Sequence, residues 1–175
     1  MKVIMDAQAI SRSLDDLTER IAATLPDGTD FAVIGIRSRG EVLAQRLAGT
    51  LAQRLGRTFP CGTLDITLYR DDLNEPKGKG QPQVRTTEIV FDINDKIIIL
   101  IDDVLYTGRS ARAAMDALID LGRPKAIRLA VLIDRGHHEL PIQADFQGRS
   151  IDVGPEETVR VRLTEMDGTD QVIVE

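Results

Sequence analysis

The run IIILIDDVLYTGRS, residues 97–110, drives five aliphatic side chains into two adjacent carboxylates, Asp102 and Asp103, and then into a turn bearing hydroxyls and a glycine. Thr107, Gly108, Arg109 and Ser110 fall where a loop enters a helix. Backbone N–H groups at such a start lack intrahelical partners, and the helix dipole is positive there. The hydroxyls of Thr107 and Ser110 add donors, and Gly108 lets an anion approach the backbone closely. Together they make a cradle for a phosphate monoester. Ionised carboxylates only accept hydrogen bonds. Two of them beside a phosphate cradle repel a diphosphate, but they suit neutral hydroxyl donors such as the 2′ and 3′ hydroxyls of a ribose, and they attract Mg²⁺. The run reads as a clamp for a ribose 5-phosphate. A capped helix after a polar turn would account for an isolated pair of acids, but not for the whole run.

A second candidate is GIRSRG, residues 35–40. Its glycine spacing is that of a Walker loop, but Glu41 and Val42 stand where Lys and Ser/Thr are required, and GKG at 78–80 does not restore the motif. What remains is a tight turn with Arg37, Ser38 and Arg39 ahead of a helix, which suits a second anion such as a diphosphate.

These residues need rigid elements to hold them. Asp6 is an N-cap for a first helix in which Ile10, Leu14, Leu17 and Ile21 recur at helical spacing. FAVIGI (31–36), residues 96–101 and AIRLAVLI (126–133) read as buried strands. LDITLYR (64–70) alternates like a strand, and TEIVF (87–91) reads as another, at an edge. Residues 41–55 form a helix with Leu43, Leu47 and Leu51 on one face. Residues 108–121 form another with Ala111, Ala114, Leu118 and Leu121, capped by Gly122 with Pro124 beyond. VRVRL (159–163) and QVIV (171–174) flank Asp167-Gly168, which suggests a hairpin. Aliphatic strands alternating with amphipathic helices predict an α/β fold: a mostly parallel twisted sheet with helices on both faces, and a small addition from the N-terminal MKVIM and the hairpin. Ligands bind such sheets at the carboxyl ends of the strands. Three loops leave those ends: RSRG, DDVLYTGRS and DRGHH.

The chain has 175 residues and 42% hydrophobic content, enough for one domain spanning 1–175. Lys and Arg number 22 against 28 Asp and Glu, a net charge of −6, which argues against a generic nucleic-acid coat but leaves a local basic patch open. The single cysteine, Cys61, excludes an internal disulfide framework and reads as a small buried or half-buried apolar side chain in a reducing compartment. The N-terminus has no signal-peptide pattern, and no run approaches the roughly 20 apolar residues of a membrane span. The expectation is a soluble cytoplasmic protein. DDLNEPKGKGQPQ (71–83) is the one linker-like stretch, readable either as a plain surface loop or as a flap over a site.

IIILIDDVLYTGRS resembles the PRPP-binding motif of type I phosphoribosyltransferases. The particular form DDVLYTGR, with DITLYRDDL (65–73), GIRSRG and GRPKAIRLAVLIDRGHHELPI (122–142), resembles the bifunctional pyrimidine operon regulator and uracil phosphoribosyltransferase family over most of residues 3–175. The resemblance implies the type I phosphoribosyltransferase fold, with a hood from the terminal segments, and the reaction of uracil with PRPP to UMP and diphosphate, with Mg²⁺. It implies that Tyr106, Thr107, Gly108, Arg109 and Ser110 hold the 5′-phosphate, and that Asp102 and Asp103 hold the ribose hydroxyls. It also implies that Ser38, Arg39 and Gly40 receive the diphosphate. Tyr69, Arg70 and Asp71 open a flexible loop that folds over the substrates, and Asp134 and Arg135 lie near the base. Asp102, Asp103 and Arg39 carry the catalysis. Mg²⁺ arrives with PRPP, with Asp102 and Asp103 as the side chains nearest to it. Arg70 is a second cation for the leaving group if the flap closes. His137 and His138 are acid–base candidates by type, though a histidine pair in a polar loop is more often surface decoration.

The family's partners are PRPP, uracil, UMP and UTP, and the leader RNA of the pyrimidine operon; a homodimer or homotetramer is expected, and no membrane. Structured RNA needs a basic, hydrogen-bonding face. Here the first helix carries Asp15, Asp16 and Glu19, and the segment after DRGH offers His138 and Gln143 where arginines would serve better. Arg20, Arg123, Lys125, Arg128 and Arg149 remain for a local patch, and aromatic residues are only 3% of the chain, so stacking platforms are scarce. Three alternatives stand beside the uracil enzyme. One is an RNA-binding attenuator that senses UMP or UTP and turns over little. Another is a phosphoribosyltransferase for hypoxanthine, guanine or orotate. The third is a Rossmann-like domain for another phosphorylated sugar.

Overall fold

A computed structural model describes residues 1–72 and 87–175. In chain order the elements are β1 (Lys2–Met5), α1 (Ala7–Ala23), β2 (Phe31–Ile36), α2 (Arg39–Leu55), β3 (Cys61–Leu64), a 3₁₀ turn (Thr67–Tyr69), β4 (Ile97–Leu105), α3 (Arg109–Leu121), β5 (Ala126–Asp134), β6 (Phe146–Ser150), β7 (Val159–Arg162), α4 (Thr164–Asp167) and β8 (Gln171–Val174). Five strands form a parallel sheet in the order β3-β2-β4-β5-β6, and three form an antiparallel sheet in the order β1-β8-β7. The second sheet is the hood, built from the two chain ends.

The helices cover both faces of the parallel sheet. Alternate residues of β4 point opposite ways: Ile99 and Ile101 pack with α1 and α2, and Ile98 and Leu100 with α3. In α1 the stripe Ile10, Leu14, Leu17 and Ile21 is fully buried, and the Ala9 amide donates to Asp6 Oδ1 at 2.8 Å, so the expected cap is made. Burial of such side chains stabilises by about 2 kcal/mol each. The buried face of α3 is mostly small: Ala111, Ala113, Ala114, Ala117 and Leu118. Leu121, expected on this stripe, is 53% exposed at the helix end.

Three strand assignments change. LDITLYR is not a strand: β3 ends at Leu64, and the Asp65 carboxylate accepts from the Thr67 amide (2.9 Å) and hydroxyl (2.6 Å). That local turn competes with an extended backbone and converts the segment to 3₁₀. TEIVF is reduced to one antiparallel bridge, Thr63 with Glu88, at the edge of β3. The edge strand β6 had no counterpart among the expected elements. Between β7 and β8 the chain turns through α4 rather than a tight hairpin turn: Asp167 accepts from the Leu163 amide, Asp170 accepts from the Thr164 amide, and Gly168 ends the helix at φ 73°. Cys61, expected buried or half-buried, is exposed at the start of β3. Most of the stretch 71–83, the expected flap, lies outside the described residues.

Candidate active site

Chain order reverses between β2 and β4: α2 leads outward to β3 on one face, and α3 leads the other way to β5 on the opposite face. A crevice opens at the carboxyl ends of strands flanking such a switch point. The register deepens it. The β2–β4 ladder stops at Gly35 and Ile101, while β4 continues beside β5 to Leu105 and Asp134. Asp102 and Asp103 therefore ride on a strand that has outrun one neighbour. The strand is longer than the expected 96–101 because it carries the acids itself.

Two glycines allow the close approach this needs. A Cβ on Gly35 would lie 2.4 Å from the Gly40 carbonyl oxygen, and one on Gly40 would lie 2.6 Å from the Ile101 carbonyl oxygen. The first turn of α2 thus rests directly on the backbone of β4 beside Asp102.

The crevice contains a cavity of about 460 Å³ lined by Ser38, Arg39, Asp65, Thr67, Arg70, Asp102, Asp103 and Ser110, among others. The diphosphate candidates Ser38 and Arg39, the acid pair, Arg70 and one cradle hydroxyl therefore share one space. A smaller cavity, about 150 Å³, runs from Asp102 along Tyr106, Thr107, Gly108 and Ser110. On the hood side, an open space of about 610 Å³ is lined by Arg39, Asp103, Val159, Arg160, Val161, Arg162 and Asp167. A fourth space of about 650 Å³ lies between Arg70, Asp71, Asp72 and the cradle.

Each acid turns back on the chain: the Asp103 amide donates to Asp102 Oδ1 at 2.9 Å, and the Val104 amide donates to Asp103 Oδ1 at 2.8 Å. Burial pushes both carboxyls above their ordinary values, and the neighbouring Asp103 charge adds to the rise at Asp102. The site thus favours a proton, a hydroxyl donor or a cation at this point.

The candidate cradle lies at the start of α3. Gly108 sits at φ 92° as the N-cap of α3, a left-handed conformation that favours glycine, and its Cα faces Ile142 so closely that a Cβ would meet it at 3.2 Å. The Arg112 amide is the first to donate back along the helix, to the Gly108 carbonyl, which leaves the Ser110 and Ala111 amides ahead of the ladder. The Arg109 side chain pairs with Asp71 (2.6 Å) and Glu139 (3.0 Å) and lines the space beside Thr107 and Ser110. The Tyr106 ring is covered by the Arg135 guanidinium, 3.8 Å from its centroid.

Asp134 and Arg135 are both buried and both committed. Asp134 Oδ1 accepts from the Gly136 amide (2.9 Å) and faces His138 Nε2 (2.8 Å), and Arg135 donates to the carbonyls of Glu157 (3.0 Å) and Gly154 (3.2 Å). Neither lines the cavities above, and neither does either histidine; His137 faces Asp152 at 3.2 Å on the surface. The start of the expected flap is tied to α3: the Tyr69 hydroxyl donates to Asp120 (2.7 Å), and Arg112 donates to the Tyr69 carbonyl (2.8 Å).

Arg39, at the start of α2, reaches the hood. Its guanidinium grips Asp167 of α4, with Nη2 to Oδ1 at 2.8 Å and Nε to Oδ2 at 3.3 Å. Asp65, Thr67, Arg160, Arg162 and Asp167 were not singled out from the sequence as site residues. The alternation of Arg160 and Arg162, which places both on one side of β7, was the available signal.

This geometry has relatives. A family model described as phosphoribosyl transferase domain matches residues 2–162. The hypoxanthine phosphoribosyltransferase of Trypanosoma cruzi superposes with a TM-score of 0.73 at 14% identity, covering 99% of this chain and 95% of that one. A hypoxanthine-guanine phosphoribosyltransferase of Bacillus anthracis gives 0.68 at 17% identity, covering 91% and 86%. The fold is that of a type I phosphoribosyltransferase. Among curated proteins, the bifunctional protein PyrR of Pelotomaculum thermopropionicum is 51% identical over 171 residues, 98% of this chain and 93% of that protein. The PyrR protein of Deinococcus radiodurans is 50% identical over 169 residues, covering 97% and 91%. The chain belongs to the bifunctional PyrR family of the phosphoribosyltransferases, regulators with uracil phosphoribosyltransferase activity.

Proposed function

We propose that this chain transfers the 5-phosphoribosyl group of PRPP to N1 of uracil, giving UMP and diphosphate. The observation that carries the reading is the placement of Asp102 and Asp103 past the end of β2, in one cavity with Arg39 and Ser110. The C1–oxygen bond to diphosphate breaks with its electron pair leaving on the diphosphate, and the uracil N1 lone pair closes on C1. An oxocarbenium-like centre lies between the two. The chain's tasks are to fix the sugar, neutralise the departing charge and exclude water. The amides and hydroxyls of residues 106–110 hold the 5′-phosphate, and the Asp102 and Asp103 carboxylates accept from the ribose hydroxyls. Ser38, Arg39 and the first turn of α2 at Gly40 take the diphosphate, with Arg70 across the same cavity as a further cation. The N1 proton is lost late, so no strong general base is required. Asp134 and Arg135 act on the base end indirectly, through the 154–157 loop and the Tyr106 ring that Arg135 holds.

Phosphoribosyltransferases use Mg²⁺ with PRPP. Among the described residues no group of three or more His, Cys, Asp or Glu forms a metal cage. Two half-buried carboxyls with raised pKa values would suit a cation brought in with the substrate. When bound, Mg²⁺ neutralises charge on the substrate's oxygens; Asp102 and Asp103 are the side chains that would hold it. UMP formation from uracil and PRPP, abolished by chelation and restored by Mg²⁺, tests the reading. Uracil-independent PRPP breakdown, or none at all, would contradict it.

Arg39→Ala is expected to slow diphosphate departure about 10–100-fold while changing UMP affinity less than about threefold. Equal losses in PRPP turnover and UMP binding would make Arg39 structural.

The family's RNA-binding half has thinner support here. Arg20 is engaged by Asp16 and the Gln147 carbonyl, and Arg149 by the Ile4 carbonyl, while Arg123, Lys125 and Arg128 sit at the amino end of β5, away from the crevice. Leader-RNA binding that falls steeply with salt would establish it. A homodimer or homotetramer in the cytoplasm completes the reading; among the described residues no helix is long and apolar enough to cross a membrane.

A further inference from the structure

Two arginines on one ridge of α2, seven residues apart, hold the hood turn. Arg46 grips Glu165 (2.5 Å) and Asp170 (2.6 Å). Arg39 grips Asp167 in a two-point contact of 2.8 and 3.3 Å. The two pins differ in surroundings. Arg46 is shared by two carboxylates, and Asp170 is further fixed by the Thr164 amide and hydroxyl. Among the described residues Arg39 makes its direct ion pair with Asp167, is drawn by charge to Asp103 as well, and lines both the crevice cavity and the hood-side cavity, with Asp103 common to both. Its pair with Asp167 is partly exposed, the side chains at 33% and 21%.

From this we propose that Asp167 is a positioning residue: it parks the Arg39 guanidinium at the mouth of the crevice and competes with diphosphate for it. The inference rests on the reading of Arg39 as a diphosphate ligand. A guanidinium in a two-point contact with a carboxylate presents its best donors to that carboxylate, so a phosphate that needs the same donors must displace it. Displacement is feasible because a partly exposed pair is a weak one. It has two consequences. Asp167 weakens diphosphate binding and so favours product release, and each arrival of PRPP or diphosphate loosens one of the two pins between α2 and the hood.

The test is Asp167→Asn, with Asp167→Glu and Arg39→Ala beside it. The asparagine keeps an oxygen that can accept from the Leu163 amide, as Asp167 Oδ2 does at 2.8 Å, so the start of α4 is retained. Calorimetric titration with Mg²⁺ and inorganic diphosphate is expected to show binding tightened about three- to fivefold in Asp167→Asn, the size of a partly exposed ion pair. Asp167→Glu restores the weaker value. In an Arg39→Ala background, Asp167→Asn is expected to change nothing. Unchanged or weaker diphosphate binding in Asp167→Asn, or an equal effect with Arg39 absent, would overturn the proposal. The titration needs no turnover. A chain that binds diphosphate with this pattern yet makes no UMP would sink the uracil transferase reading and leave the competition standing.

Discussion

Asp103→Asn is expected to lower kcat/KM for PRPP by about three orders of magnitude, because it removes an interaction with the ribose hydroxyls and the cation that is needed where charge develops. The same substitution should not cost stability. Burial raises the folded-state pKa of both acids. A carboxyl raised on folding is best tolerated when protonated, so its favourable contribution is full below the ordinary carboxyl pKa and is lost as pH climbs through the raised value. Ionising either member in the folded chain is a liability, and replacing one by a neutral isostere relieves it. Thermal unfolding of Asp103→Asn at pH 7 should therefore give a Tm equal to or above that of the unsubstituted chain. Its stability should also fall less between acid and neutral pH. Unchanged kcat and KM would remove Asp103 from the ribose clamp, and a lowered Tm would mean the carboxylate is a structural acceptor first.

The second large effect is at Gly40. An added Cβ meets the Ile101 carbonyl oxygen at 2.6 Å and the Asp102 Cα at 3.2 Å, both backbone, so α2 must shift off β4. Gly40→Ala is expected to cost about 2–3 kcal/mol in urea unfolding, the scale of overpacking against an unyielding neighbour. It should also cost more activity than stability, because the shift separates Ser38 and Arg39 from the acids. Gly49→Ala in the same helix is the control. Its Cβ meets nothing within 4 Å, and alanine there should stabilise by about 0.5–1 kcal/mol. Similar behaviour of the two variants would show that the contact of α2 with β4 does not limit the fold.

What the sequence made legible was what lies close together along the chain. The aliphatic run, the two acids and the hydroxyl-glycine turn follow one another, so the strand, the acid pair at its end and the helix start beyond them could be read in a single pass. FAVIGI forms β2 over the residues expected, because both of its faces are covered and no polar side chain interrupts it. LDITLYR misled because Leu64, Ile66 and Leu68 alternate as in a strand, while the Asp65 side chain ties the backbone into a turn. FQGRS carries one apolar residue, and β6 exists because β5 offers it a ladder, information that no local pattern holds. Asp167 stands 128 residues from Arg39 in sequence and meets it only through the hood. The direction of the Arg109 side chain was likewise decided by Asp71 and Glu139, which tertiary structure brings to it. The residues of the turn could be named from the motif, but which way their side chains face could not.

The central claim is that this crevice joins a ribose 5-phosphate to uracil with loss of diphosphate. The most direct measurement is diphosphate release from PRPP and Mg²⁺ with uracil, hypoxanthine, guanine or orotate added one at a time. Release with uracil alone is the predicted result. Release with a purine or orotate in its place would contradict the base assignment, and silence with every base alongside measurable UMP binding would make the crevice a nucleotide sensor instead of a catalyst.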